Sequence, residues 1–112
     1  MLLQALSEFD FHPRLAAASG VSLVLFTAPG CGSCRAWLRL LEEFSSPLLQ
    51  NGYVVDVQTA TALAYEYEVF HLPSLFLFAD GKFHAPLHAE ALPASLHQAI
   101  ADTLSRAPQE EP

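Results

Sequence analysis

Residues 21–34 read VSLVLFTAPGCGSC. The run Val21–Phe26 is almost continuously apolar and rich in strand formers, which is typical of a central strand buried on both faces. Ala28–Gly30 interrupts this strand with a proline and a glycine. From Cys31 to Phe44, apolar side chains recur every three or four residues, which predicts an amphipathic helix. The segment therefore predicts a buried strand, a turn that carries two cysteines, and a helix.

The two cysteines of this turn are the only ones in the chain, so they cannot form a four-thiolate zinc site alone. Thiolate is the reactive form of cysteine, and the partial positive charge at a helix N-terminus stabilises it. Cys31 stands at the exposed start of the predicted helix, and Cys34 lies nearly one turn further along. We therefore expect Cys31 to attack a disulfide and Cys34 to resolve the mixed disulfide, while Gly32 allows a partner chain to approach closely.

The rest of the chain predicts an α/β fold. Asp80 and Gly81 form a tight hairpin signal between the last two strands. The first two strands need a helical crossover and should be parallel, whereas the hairpin strands should be antiparallel. We expect a central mixed four-stranded sheet with helices on both faces. The further strands are predicted at Tyr53–Val57, Ser74–Ala79 and Lys82–Leu87. Three further helices are predicted: one capped by Asp10 that runs to about Ser19, one capped by Thr59 or Thr61 that runs to about Tyr67, and one at about Pro93–Arg106.

The composition indicates one globular domain and excludes several classes of partner. Of 112 residues, 52% are hydrophobic and 15% are charged, the opposite of a disordered chain. The net charge of −7 argues against nucleic acid and against anionic membrane surfaces. No apolar run approaches the roughly 20 residues of a membrane span. The N-terminus lacks the basic region of a signal peptide, so a cytoplasmic location is expected.

We expect a single domain over residues 1–106. The remaining residues, 107–112, contain two prolines and two glutamates and are expected to be a disordered tail.

The motif APGCGSC at residues 28–34, the helix after it, Leu72-Pro73-Ser74 and the hairpin at Asp80-Gly81 resemble the thioredoxin family. The resemblance covers about Phe11 to Arg106. It implies a thioredoxin fold and a thiol–disulfide oxidoreductase whose redox unit is the Cys31–Cys34 disulfide, with no other cofactor and no metal. The implied partners are disulfide-containing proteins or small thiols, together with an upstream thiol reductase. A monomer is expected.

The resemblance also assigns a substrate groove. It implies that Pro73 follows a cis peptide bond and faces the cysteine pair. The backbone at Leu72 would pair with an extended substrate segment, as an added strand does. Gly30, Gly32 and Ser33 would complete the groove on the cysteine side.

Four positions depart from the usual thioredoxin pattern. Gly30 replaces a tryptophan and Ser33 replaces a proline. Leu25 stands where thioredoxins bury an acid, and Val54 stands near the place of the lysine that partners it. A buried carboxylate helps the second thiol, Cys34, to react, so its absence predicts slower release of mixed disulfides.

One further residue is a candidate modulator of the site. His71 stands two residues before Pro73, and as a cation it would stabilise the Cys31 thiolate. Two other functions fit the same residues: a non-catalytic docking or chaperone-like module with the same fold, and a carrier of a metal ion or iron–sulfur cluster on the cysteine pair.

Overall fold

The computed structural model describes all 112 residues, Met1–Pro112. It contains one five-stranded sheet and four helices. In chain order the elements are β1 (Leu3–Ala5), α1 (Phe11–Ala17), β2 (Val21–Thr27), α2 (Gly32–Glu43), β3 (Asn51–Asp56), α3 (Thr61–Glu66), β4 (Ser74–Ala79), β5 (Lys82–Leu87) and α4 (Pro93–Ser105). The strands lie in the order β1-β3-β2-β4-β5. The predicted α/β class and mixed sheet are confirmed.

The number of strands is corrected from four to five. The additional strand, β1, pairs in parallel with β3, with Gln4 opposite Tyr53. Three residues are too few to show a hydrophobic period, so the sequence pattern did not reveal this strand. Gly52 belongs to the same contact, because a Cβ atom at this position would come within 2.7 Å of the Leu3 side chain.

Strand β2 is central because it pairs on both sides. Its register places Leu25 beside Val54 of the parallel strand β3 and beside Leu75 of the antiparallel strand β4. Leu23–Phe26 are completely buried, so both faces of the strand are covered. This explains why its sequence is a continuous apolar run rather than an alternation.

The two faces of the sheet carry separate hydrophobic clusters. The first lies on the side of α1 and α3 and is largely aromatic: its larger rings are Phe11, Phe26, Tyr53, Tyr67, Phe76, Phe78 and Phe83. The second lies on the side of α2 and α4 and is largely leucine, around Trp37 and Ile100. Trp37 is only 6% exposed, so it is a core residue.

The β4–β5 hairpin turns at Asp80 and Gly81, as predicted. Both residues have positive φ values, 50° and 82°. This pair of left-handed conformations is the one required by a tight hairpin turn that matches the twist of the strands. Gly81 also lies against the Ala16 carbonyl, where a Cβ atom would overlap, so glycine is required there on two grounds.

Residues 107–112 form no helix or strand but make hydrogen bonds to β5 and to the end of α3. The Gln109 N–H donates to the His84 carbonyl on β5 at 2.7 Å. The Tyr67 hydroxyl donates to Glu111 Oε2 at 2.5 Å. These residues therefore follow the outer edge of β5.

None of the four helices combines the length and the apolar character that crossing a lipid bilayer requires.

Candidate active site

Three chain segments meet at one edge of the sheet. Strands β2 and β3 run in parallel and end together, with Thr27 opposite Asp56. Strand β4 runs the other way and begins there, with Ser74 opposite Phe26. The cysteine turn follows β2, and Leu72 and Pro73 precede β4. The topology therefore brings the cysteine turn beside the proline loop, although about forty residues separate them in sequence.

Cys31 and Cys34 are joined by a disulfide, with their Cα atoms 5.2 Å apart. Cys31 is the N-cap residue of α2, and its Sγ accepts a hydrogen bond from the Cys34 N–H at 3.2 Å. An N-cap acceptor of this kind satisfies one of the unpaired N–H groups of the first helical turn. A thiolate at Cys31 would accept the same bond and lie at the positive end of the helix.

The two sulfur-bearing residues differ in accessibility. Cys34 is 1% exposed, whereas Cys31 is partly exposed at the surface. Ser33 lies next to the accessible sulfur, with its Oγ 3.6 Å from Cys31 Sγ. Gly32 has no atom within 4 Å of an added Cβ, so the space above the cysteine turn is open. An incoming disulfide can therefore reach Cys31 and not Cys34.

A shallow groove of about 510 Å³ surrounds the disulfide. Its lining includes Gly30, both cysteines and two charged residues, Arg35 and Asp56. Asp56 was not among the residues predicted for the site. The signal was present, because the carboxyl ends of neighbouring parallel strands meet at one edge of a sheet and Asp56 ends the strand beside β2.

The Leu72–Pro73 peptide bond is cis, as the resemblance implies. Pro73 lines a groove on the side of β5, and Leu72 lines another on the side of α3. Three of the residues predicted for one substrate groove, Gly30, Leu72 and Pro73, therefore line three separate depressions, whereas Gly32 and Ser33 line none of these.

His71 is exposed and lines the β5-side groove together with Pro73. Its carbonyl accepts a hydrogen bond from Ser74 Oγ. The groove of Cys31 does not include His71. Its influence on the Cys31 thiolate stays a prediction.

Comparison with known proteins agrees with this geometry. The thioredoxin family model matches residues 3–102. Thioredoxin of Chlamydia trachomatis serovar D is 33% identical over 82 residues, which cover 72% of this chain and 78% of that protein. The chain belongs to the thioredoxin family. Thioredoxin of Staphylococcus aureus strain Mu50 is 32% identical over 84 residues, which cover 73% and 79% of the two chains.

A solved structure of human ERp44 in a zinc-bound form has a TM-score of 0.74 to this chain at 20% identity. The similarity covers 90% of this chain but only 31% of that one, and it shows the shared fold. Membership of the thioredoxin family, together with the disulfide at CxxC spacing, identifies the protein as a thiol–disulfide oxidoreductase. Thioredoxins act on disulfide-containing proteins and need no cofactor other than this disulfide.

The core beneath the disulfide is apolar, unlike that of a typical thioredoxin. Leu25, at the position of the family's buried acid, is completely buried among the leucines of the α2 side. The neighbouring position on β3 is Val54, so neither the acid nor its lysine partner is present. None of the 31 buried residues is a carboxylate. Asp56 is the acid that lies beside the disulfide, at the surface rather than in the core.

No cluster of three or more His, Cys, Asp or Glu side chains has the spacing needed to hold a metal ion.

Proposed function

We propose that the protein reduces disulfides in protein substrates, with Cys31 as the attacking nucleophile and Cys34 as the resolving thiol. The supporting observation is the asymmetry of the pair. Cys31 is accessible at the positive end of α2 and receives the Cys34 N–H, whereas Cys34 is 1% exposed. An exposed thiolate at a helix N-terminus is the reactive partner in disulfide exchange.

The reaction proceeds in two exchange steps. The Cys31 thiolate attacks one sulfur of the substrate disulfide, which forms a mixed disulfide and releases the first substrate sulfur as a thiolate. Deprotonated Cys34 then attacks Cys31 Sγ, which closes the Cys31–Cys34 disulfide and releases the second substrate sulfur. The substrate gains two electrons and two protons in total, and the protein loses them. An upstream thiol reductase or a small-thiol pool returns the electrons.

The groove residues position the substrate in this proposal. The Leu72 backbone offers strand-like hydrogen bonds to an extended segment, and Pro73 holds the loop that presents them. Gly30 and Gly32 leave the cysteine side low and open beside Ser33, which suits a bulky protein partner.

A trapping experiment tests the assignment of the two cysteines. Cys34→Ser should accumulate a stable mixed disulfide with a protein such as insulin, because the attacking thiol remains and the resolving thiol is absent. Cys31→Ser, the matched control, should trap none, since the remaining thiol is buried. Equal trapping by both variants would contradict the assigned roles. If the intact protein reduces no disulfide at all, a docking module replaces the reductase as the better explanation.

The reduction potential of the Cys31–Cys34 pair tests the direction of electron flow. A value of roughly −270 to −230 mV supports a reductase in a reducing compartment such as the cytoplasm. A value near roughly −180 mV would contradict that direction and indicate an oxidant or isomerase. The measurement uses equilibration with graded thiol buffers and a mass readout of the thiols.

A further inference from the structure

An exposed apolar groove lies on the α3 side of the proline loop. Its lining, called the α3 groove from here on, includes Val57, Ala64, Tyr65, Val69, Phe70 and Leu72. Its volume is about 490 Å³, and six of its seven lining residues are hydrophobic.

The two aromatic rings of this groove project into solvent. Phe70 is 81% exposed and Tyr65 is 83% exposed. In contrast, Val57, Val69 and Leu72 pack against the aromatic core and form the floor. The floor residues of the α3 groove therefore contribute to the core of the fold, whereas the rings of Tyr65 and Phe70 are largely exposed to solvent. Apolar rings grouped in this way on a surface indicate a site of interaction rather than a contribution to the core.

The α3 groove shares no lining residue with the groove of the disulfide, but the chain links it to the cysteine site at two points. Val57 directly follows Asp56, which lines the groove of the disulfide. Leu72 directly precedes Pro73 at the start of β4. A substrate segment that pairs with the Leu72 backbone and presents its disulfide to Cys31 would extend over the α3 groove.

The charge of this region selects among possible segments. Residues 56–72 contain three carboxylates, on Asp56, Glu66 and Glu68, and no lysine or arginine. Glu66 already faces His12 at 2.7 Å, which leaves Asp56 and Glu68. Neither lines the α3 groove itself: Asp56 lines the groove of the disulfide together with Arg35, and Glu68 lines the β5-side groove together with Phe70. They directly precede Val57 and Val69 of the α3 groove in the chain. The net charge of the whole chain, −7, has the same sign. Complementary charge around an apolar contact steers association and improves specificity.

We propose that the α3 groove binds a segment of the disulfide substrate that carries a large apolar side chain flanked by lysine or arginine. The inference rests on the proposed function, because it assigns the substrate class of the same site. Phe70 and Tyr65 enclose the apolar side chain, and the basic residues on either side of it reach Asp56 and Glu68 in the two neighbouring grooves.

The test compares two peptides that contain the same disulfide. In one, the cysteines are flanked by leucine and lysine; in the other, they are flanked by serine and glutamate. The protein should reduce the first peptide with a KM about tenfold lower, and added salt should narrow the difference. Phe70→Ser should raise the KM for the first peptide about five- to tenfold and leave kcat unchanged.

Two controls make the result specific. Phe9→Ser removes an equally exposed ring, 87% exposed, from the loop before α1 and should change neither constant. Hydroxyethyl disulfide, which is too small to reach the groove, should be reduced equally by all three proteins. If Phe70→Ser matches Phe9→Ser on the apolar–basic peptide, the proposal is overturned.

A binding measurement separates this proposal from the reductase function. The leucine–lysine peptide, with both cysteines replaced by serine and a fluorescent label added, should bind the intact protein and bind Phe70→Ser about tenfold more weakly. This holds even if hydroxyethyl disulfide is not reduced, in which case the reductase function fails alone. Sedimentation of the wild type and of Phe70→Ser at several concentrations tests a different occupant of the α3 groove. If the wild type self-associates and Phe70→Ser does not, a second copy of the chain occupies the groove and the proposal is wrong.

Discussion

The contact between Tyr67 and Glu111 leads to a prediction about stability at high pH. The ring of Tyr67 is 2% exposed and lies among aromatic rings, 5.3 Å from Phe11 and 5.6 Å from Phe76 between centroids. Its hydroxyl donates to Glu111 Oε2 at 2.5 Å. Burial raises the pKa of the Tyr67 phenol well above its usual value, and the hydrogen bond to Glu111 raises it further.

The sign of the effect follows from these causes. The folded state holds the phenol neutral, whereas the unfolded chain ionises it near pH 10. The contribution of Tyr67 to stability is therefore fully present below about pH 10 and is lost as the pH rises further. The loss amounts to about 1.4 kcal/mol between pH 9 and pH 11, since each pH unit above the unfolded pKa costs about that much.

Tyr67→Phe isolates the hydroxyl, because the ring and its packing are retained. At pH 7 the variant should lose about 1.5 kcal/mol, the lower end of the range for a hydrogen bond to a charged group, since Glu111 is exposed. At pH 11 the difference in the free energy of unfolding between the wild type and Tyr67→Phe should nearly vanish. The wild type alone is destabilised at that pH, because its folded state keeps neutral a phenol that ionises in the unfolded chain. Urea unfolding of the two oxidised proteins at several pH values measures both quantities.

Tyr65→Phe is the matched control, since this tyrosine is 83% exposed. It should not alter the pH dependence. If the difference between wild type and Tyr67→Phe is constant from pH 7 to pH 11, the phenol is not protected as described. The same data address the predicted disorder of residues 107–112: a disordered tail requires Tyr67→Phe and Glu111→Gln to be without effect at pH 7, whereas an ordered tail makes each destabilising.

Three other substitutions have expected outcomes. Glu68, just after α3, has a φ of 53°, a left-handed conformation that costs a residue with a side chain about 1 kcal/mol. Glu68→Gly should therefore raise the free energy of unfolding, measured by urea denaturation, by about that amount. An unchanged free energy of unfolding would contradict the strain. Ser33 lies in the first turn of α2, where proline is tolerated. Ser33→Pro should move the reduction potential of the Cys31–Cys34 pair towards the roughly −270 mV of thioredoxin. An unchanged potential would show that residue 33 does not determine the potential. Leu25→Asp should lower stability by about 3–5 kcal/mol and speed the release of mixed disulfides from Cys31 by Cys34 in stopped-flow measurements, whereas Leu25→Ala should lower stability without faster release. Equal release rates in the two variants would refute the role of a buried acid.

Local sequence patterns were sufficient to predict most elements of the fold. The apolar run of β2, the periodic face of α2 and the Asp80-Gly81 turn each carry their own signal, because burial and turn geometry act over a few residues. The helix boundaries were less certain: α2 ends at Glu43, before Pro47, the first residue after it that cannot continue a helix. Its end depends on packing rather than on a strong local stop.

The cysteine chemistry was also accessible from sequence. Two cysteines at CxxC spacing at the start of a helix determine which sulfur is exposed and which is buried, and the structure places Cys31 and Cys34 in that way. Residues 1–106 as the domain and residues 107–112 as a disordered tail stay predictions.

By itself, then, the sequence determined the sheet class and the cysteine pair, since each depends on patterns of residues close together in the chain. The role of Pro73 came from the family resemblance. Only the tertiary structure decided the features that join distant segments. Strand β1 exists because β3 offers a free edge, and Asp56 reaches the cysteine groove because parallel strands end together. Phe70 is a large apolar residue of the kind usually buried, yet it is 81% exposed and lines the same groove as Leu72. A hydrophobic residue carries no local mark of whether a neighbouring segment covers it, because that neighbour is supplied by the fold.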